Sequence, residues 1–206
     1  MANHENRSEK VKDPAEIKKW AGRNITAVGL VLLFILIYIA SAGMEDAYLT
    51  FGATGMSYLN REYYRFITCL FLHYNPRHLL GNSLALLAVS SLLTPFSGKG
   101  KTLFLFLSGG ILAEFAYAVV TFDPVYDIGA SSGVFALIAC LLVCYLRFPE
   151  QFHPKWYRPD VVIVVVYFVF ANSSVTAFLV HAFGFIAGTL ISSVMILTGA
   201  IKKPGF

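Results

Sequence analysis

Residues 161–170 read "VVIVVVYFVF", an unbroken series of β-branched and aromatic side chains. In a soluble protein such a run reads as a buried strand. Its neighbourhood excludes that reading. The run opens the segment Val161–Ile201, 41 residues whose only Asp, Glu, Lys, Arg or His is His181. In hydrocarbon a lone strand would leave its backbone groups unpaired, so helix wins over β-propensity. About 20 apolar residues cross ~30 Å of hydrocarbon, so the segment holds two helices. The turn-forming cluster Ala171-Asn172-Ser173-Ser174 separates them. The first rises only ~15–18 Å. Either Trp156–Asp160 joins it, or its outer end stops below the surface and leaves a thin wall near residues 171–176.

Outward from this segment the same pattern repeats. Asn24–Met44, Leu79–Gly98 and Ile128–Leu146 carry no Asp, Glu, Lys or Arg, and Thr102–Phe122 carries only Glu114. Each is of membrane-crossing length, which predicts an all-α membrane protein of six spans. Their expected limits are about 25–43, 66–94, 102–121, 131–147, 160–171 and 175–199. Charged residues make up 14% of the chain, well below the quarter usual in soluble domains. Six crossings put both termini on one side, with loops 94–102 and 147–160. Thirteen of the 16 Lys and Arg fall there; Arg61, Arg65 and Arg77 do not. The positive-inside rule makes that side the cytoplasm. The net charge of +4 is thus a topology signal rather than a nucleic-acid footprint. Cys69, Cys140 and Cys144 form neither a disulfide framework nor a metal pattern.

The expected organisation is a cytoplasmic segment (1–24), one membrane domain (25–199) and a cytoplasmic tail (200–206). Asp13-Pro14-Ala15-Glu16 fits a helix start. A short interfacial helix with Lys18, Lys19 and Trp20 is expected before the first span, and no cleavable signal peptide. The connection 44–65, with its aromatics, Gly52 and Gly55, reads as a structured external loop.

Polar residues within the spans share one depth. Counted from the inner boundary at helical rise, Ser131 lies at ~24 Å, His181 at ~26 Å, His78 at ~24 Å, Asn82 at ~18 Å and Glu114 at ~20 Å. A polar group in hydrocarbon is costly unless partnered, so this convergence marks a site. Gly184 and Gly188 follow His181 on one helix face, which permits close approach to a neighbouring helix. Packing there against Gly129–Gly133 brings His181 within reach of a serine hydroxyl. Ser and His supply a nucleophile and its base, and His78 and Asn82 can donate to an oxyanion. A metal site from His73, His78 and His181 lacks a carboxylate or Cys companion, so neither metal nor cofactor is expected.

Residues 129–133, "GASSG", also satisfy Gly-x-Ser-x-Gly, and the order Ser131, Asp160, His181 matches α/β-hydrolases. That elbow requires a preceding strand, and Asp160 is expected about a membrane thickness from Ser131. The complete set resembles instead the rhomboid family of intramembrane serine proteases. "GASSGVFAL" (129–137) is similar to the family's fourth-helix nucleophile motif, "HAFGFIAG" (181–188) to its sixth-helix base motif and "HLLGN" (78–82) to its second-helix His-x-x-x-Asn. "EYYR" (62–65) resembles Glu-x-Trp-Arg of its first external loop, with Tyr64 in the Trp place, and His73 has a counterpart. Two positions depart: Ser132 stands where Gly usually follows the nucleophile, and Phe135 where Tyr commonly stacks on the base. Ser131 and Phe135 are i, i+4 and share a face, which selects Ser131 over Ser132.

The resemblance implies a rhomboid-like bundle, multi-pass in a prokaryotic plasma membrane, whose site near the outer face cuts transmembrane segments of other proteins. It implies Ser131 as nucleophile, His181 as base, and His78, Asn82 and the Ser131 amide as oxyanion donors. Gly129, Ser132, Gly133, Phe135, Gly184 and Gly188 would shape the site. The implied partners are transmembrane substrates and the bilayer, without nucleic acid; oligomeric state carries no sequence signature. One rival is an inactive rhomboid-like escort of membrane proteins, against which Ser131 and His181 speak. Another is a transporter, against which the lack of an internal repeat speaks.

Overall fold

The computed structural model describes residues 14–44, 46–152, 158–172 and 174–203. The Asp13 cap and the Trp156 extension of the fifth span lie outside them. Among these residues eight α-helices follow in order: α1 Pro14–Ser41, α2 Ala47–Phe51, α3 Arg65–Thr68, α4 Pro76–Ser97, α5 Lys99–Thr121, α6 Ser131–Arg147, α7 Pro159–Phe170 and α8 Val175–Leu197. Trp20–Ser41, α4, α5 and α8 are long and apolar enough to cross a membrane, whereas α6 and α7 are shorter apolar helices. Together with the composition, these helices make the chain an integral membrane protein.

Two boundaries differ from the sequence reading. The interfacial helix and first span are one continuous α1 of 28 residues, since nothing in Ala21–Asn24 breaks a helix strongly. The second span begins at Pro76, not near residue 66. Asn75 caps α4 by accepting from His78 N at 2.9 Å, and Pro76 takes the first turn, where its missing N–H costs nothing. Residues 65–71 form α3 and a 3-10 turn outside it, with α3 packed on α5.

The connection between α1 and α4 is built around Arg65. Its guanidinium donates to the carbonyls of Leu49 (2.7 Å) and Gly52 (3.0 Å) and to Glu62 Oε2 (2.9 Å). The loop is then tied to the α5–α6 connection by the Ala53–Asp127 backbone pair, at 3.0 and 2.7 Å. Burial pushes the Asp127 carboxyl up to about 6, and its Oδ2 is shut away without a partner.

At the centre stands α6, buried without interruption from Ser131 to Cys140. Its neighbours α5 and α8 reach its backbone through glycines. A Cβ on Gly184 would lie 2.4 Å from the Ser132 carbonyl oxygen, and one on Gly188 2.3 Å from that of Ala136. On the other side, a Cβ on Gly109 would meet Ala136 Cβ at 2.3 Å and one on Gly133 the Phe106 ring at 2.6 Å. The peripheral helix α7 leans chiefly on α4. On the N-terminal side of Tyr167 the two part into a groove of about 890 Å³ lined by Trp20, Leu84, Leu87, Ile163 and Val164.

Gly188→Leu forces a side chain into the α6 backbone and should cost about 1–3 kcal/mol or more of stability. Gly29→Ala, where nothing lies within 4 Å, should gain up to about 1 kcal/mol from helix propensity. Unfolding in mixed micelles compares the two, and equal effects would refute the packing account. For Asp127, whose ordinary value is 3.8, the folded state holds its proton where the unfolded state has released it. Its contribution to stability therefore falls as pH rises from about 4 to about 6. The same titration on Asp127→Asn should be flatter over that interval.

Candidate active site

Helices α4, α6 and α8 run parallel, and their N-terminal turns meet at one end of the bundle. Gly129 is the joint. Its φ of 138° is accessible to glycine and rarely to other residues, and its amide donates to the Cys69 carbonyl at 2.9 Å. No side chain would fit there. A Cβ would lie 2.7 and 2.8 Å from His78 Cε1 and Nε2, and 3.2 Å from Asn82 Nδ2. The His78 and Asn82 side chains, one turn apart on α4, thus both border the backbone that leads into Ser131.

Asn82 is 1% exposed. Its Oδ1 accepts from Tyr167 Oη of α7 at 2.5 Å, while its Nδ2 is buried with no acceptor. His78 stacks on Tyr74, centroids 6.0 Å apart at 17°, and meets the buried His73 ring at 5.2 Å. Ala130 provides no side-chain cap for α6. The first amides of that helix therefore face the site with the positive end of its dipole.

Opposite lies His181 on α8, 4% exposed. Its ring lies flat on Phe135, centroids 4.2 Å apart at 7°, and Phe135 is one helical turn from Ser131. Tyr167 and Phe168 of α7 back Phe135 from the other side, at 5.8 and 5.6 Å. Asn172, in the connection between α7 and α8, places Oδ1 2.8 Å from His181 Nδ1. Among the described residues Ser131 Oγ and His181 form no direct hydrogen bond; Phe135 and the glycine-mediated approach of α8 hold them on the same side.

The two serines have different surroundings. Ser131 opens α6 at the site, 8% exposed. Ser132 is fully buried, its Oγ without a hydrogen-bond partner, on the side of Glu114. Glu114 in turn faces Asp127, and both its carboxyl oxygens are buried without partners. Gly133 and Gly188 serve helix packing below the site. Asp160 is engaged by Arg158 at 2.6 Å at the start of α7, and among the described residues no strand precedes Ser131. The α/β-hydrolase constellation is therefore not formed.

Sequence reading missed Tyr167 and Asn172. Tyr167 was hidden in an apolar run, and its hydroxyl on so short a helix was the available signal. Asn172 served in that reading only as a turn former.

A sequence model of the Rhomboid domain matches residues 60–198. The chain is similar to "Rhomboid protease GluP" of Bacillus subtilis (strain 168), 28% identical over 141 residues. These make up 68% of this chain and 27% of that protein, so the chain spans about a quarter of the length of that relative. It is also similar to "Putative rhomboid protease YdcA" of the same organism, 28% identical over 137 residues, 65% of this chain and 67% of the relative. With more than half of its length matched by that model, the chain belongs to the rhomboid family.

Proposed function

We propose that the chain is an intramembrane serine endopeptidase that cuts transmembrane segments of other proteins. The observation that carries this reading is the gathering of Ser131, His181, His78 and Asn82 around the N-terminus of α6, among helices of membrane length. The names of the two relatives support it.

In the proposed reaction Ser131 Oγ attacks the scissile carbonyl while His181 Nε2 takes its proton and then delivers it to the leaving amine. Water, activated by the same imidazole, releases the acyl group. The oxyanion sits beside Gly129, where the Ser131 amide, His78 Nε2–H and Asn82 Nδ2–H can converge. Asn82 suits that task because Tyr167 occupies its Oδ1 and turns the free NH2 toward the site. A helix hides its carbonyls, so the substrate unwinds locally before it is cut.

For topology we propose six crossings, with α6 and α7 as short spans, both termini cytoplasmic and the site near the outer face of a prokaryotic plasma membrane. The charge distribution supports this orientation. The proposed membrane domain is 25–199, between a cytoplasmic segment 1–24 and a cytoplasmic tail 200–206.

The test is cleavage of a single-span membrane substrate by the purified chain in liposomes. Ser131→Ala and His181→Ala should abolish product, and Ser132→Ala should retain it. Cutting that survives Ser131→Ala but not Ser132→Ala would reassign the nucleophile. A folded chain that cuts no substrate and takes up no fluorophosphonate would favour the escort reading. A separate expectation concerns the oxyanion: Asn82→Ala should lower kcat about a hundredfold or more. An unchanged kcat would remove Asn82 from that role.

A further inference from the structure

The connection between α7 and α8 contributes one side chain to the base. Asn172 Nδ2 donates to the carbonyl of Phe168 in the last turn of α7, at 3.2 Å. That bond fixes which way the amide points, so the atom 2.8 Å from His181 Nδ1 is the oxygen Oδ1. An amide oxygen has no hydrogen to give. Nδ1 must therefore be the donor, and neutral His181 carries its one ring hydrogen there. Nε2 is left with its lone pair, the condition for accepting a hydroxyl proton.

The stack on Phe135 fixes the plane of the imidazole, 7° from parallel. It does not fix rotation within that plane, because a flat ring face offers no directional bond. The Asn172 bond supplies the missing constraint. Two contacts from two elements, α6 and the α7–α8 connection, then determine both where Nε2 points and what it carries. Asn172 does this without adding charge; the other titratable group facing His181 is His78 of α4.

We propose that Asn172 is a positioning residue for His181, so that the working unit is Ser131–His181–Asn172 rather than a pair. The proposal rests on the protease reading for its kinetic consequence but not for its structural one. When Nε2 takes the Ser131 proton, Nδ1 keeps its own hydrogen, and Asn172 Oδ1 accepts from the imidazolium. The proton leaves again from Nε2 to the departing amine.

The experiment has two arms, both on the full chain in lipid nanodiscs. In the first, kcat and KM for a single-span membrane substrate are compared among wild type, Asn172→Ala and Asn172→Asp. Asn172→Ala should lose about tenfold to a hundredfold in kcat with KM nearly unchanged, as loss of an orienting partner does. Asn172→Asp, which keeps the acceptor oxygen, should recover most of that loss. An Asn172→Ala enzyme with wild-type kcat overturns the proposal. In the second arm, 15N spectra of histidine-labelled wild type, assigned by difference with His181→Ala, report which ring nitrogen bears hydrogen. Hydrogen on Nδ1 is expected, and hydrogen on Nε2 in the folded wild type overturns the proposal whether or not the Asn172 variants fold. If the wild type cuts nothing, the protease reading fails, and the spectrum still decides whether Asn172 sets the tautomer.

Discussion

The structure depends on how closely α8 approaches α6. With hydrogen in place of side chains at Gly184 and Gly188, the face of α8 rests directly on the carbonyls of Ser132 and Ala136. Lipid tails are as apolar as leucine, so burial of apolar area does little to drive this contact. Dense van der Waals packing between backbones does so instead. The spacing sets the site, because His181 stands one turn before Gly184. Only at backbone contact does its ring come down flat on Phe135, beside the start of α6. A thicker interface would leave the imidazole facing lipid.

The second constraint is the cost of polar groups in hydrocarbon, and the molecule meets it unevenly. Between α1 and α4 Arg65 is well served, binding two carbonyls and a carboxylate. Around α6 the accounting is left open, with Asn82 Nδ2, Ser132 Oγ and both Glu114 oxygens buried and unpartnered. Each unmade bond of this kind costs about 1–3 kcal/mol. At Asn82 the open donor borders Gly129, the place proposed for a substrate carbonyl. That is an interaction withheld in the resting protein and available to a ligand.

The chain announced its helices through charge-free runs, and lipid-length spacing was enough to find α1, α4, α5 and α8. The glycines that follow His181 and flank Ser131 mark α8 and α6 as faces that permit close approach, and the two helices do meet there. Asn75-Pro76 was an equally plain start signal for α4, but the apolar residues before it masked the break. Tyr167 and Asn172 were illegible for a different reason. Each acts across a gap between elements, Tyr167 from α7 to α4 and Asn172 from a turn to α8. Their partners follow from the azimuth of a short helix about its own axis, which no residue pattern fixes when every face is apolar.

The two departures from the family pattern now have physical accounts. Phe135 keeps the ring face that supports His181, and Tyr167 on α7 supplies a phenolic hydroxyl to the same neighbourhood, bonded to Asn82. Ser132 is the harder case, since a side chain next to Ser131 threatens the space proposed for the oxyanion. Its carbonyl faces Gly184, and its hydroxyl lies inside the bundle on the Glu114 side, fully buried. The crowding therefore falls between α6 and α5, away from the Gly129 face that His78 and Asn82 border. Ser132 is a close neighbour of Glu114, while the space beside Gly129 is left clear of its hydroxyl. A serine is tolerated at this position because helix geometry turns it about 100° from its neighbour, so the two adjacent hydroxyls never compete for one site.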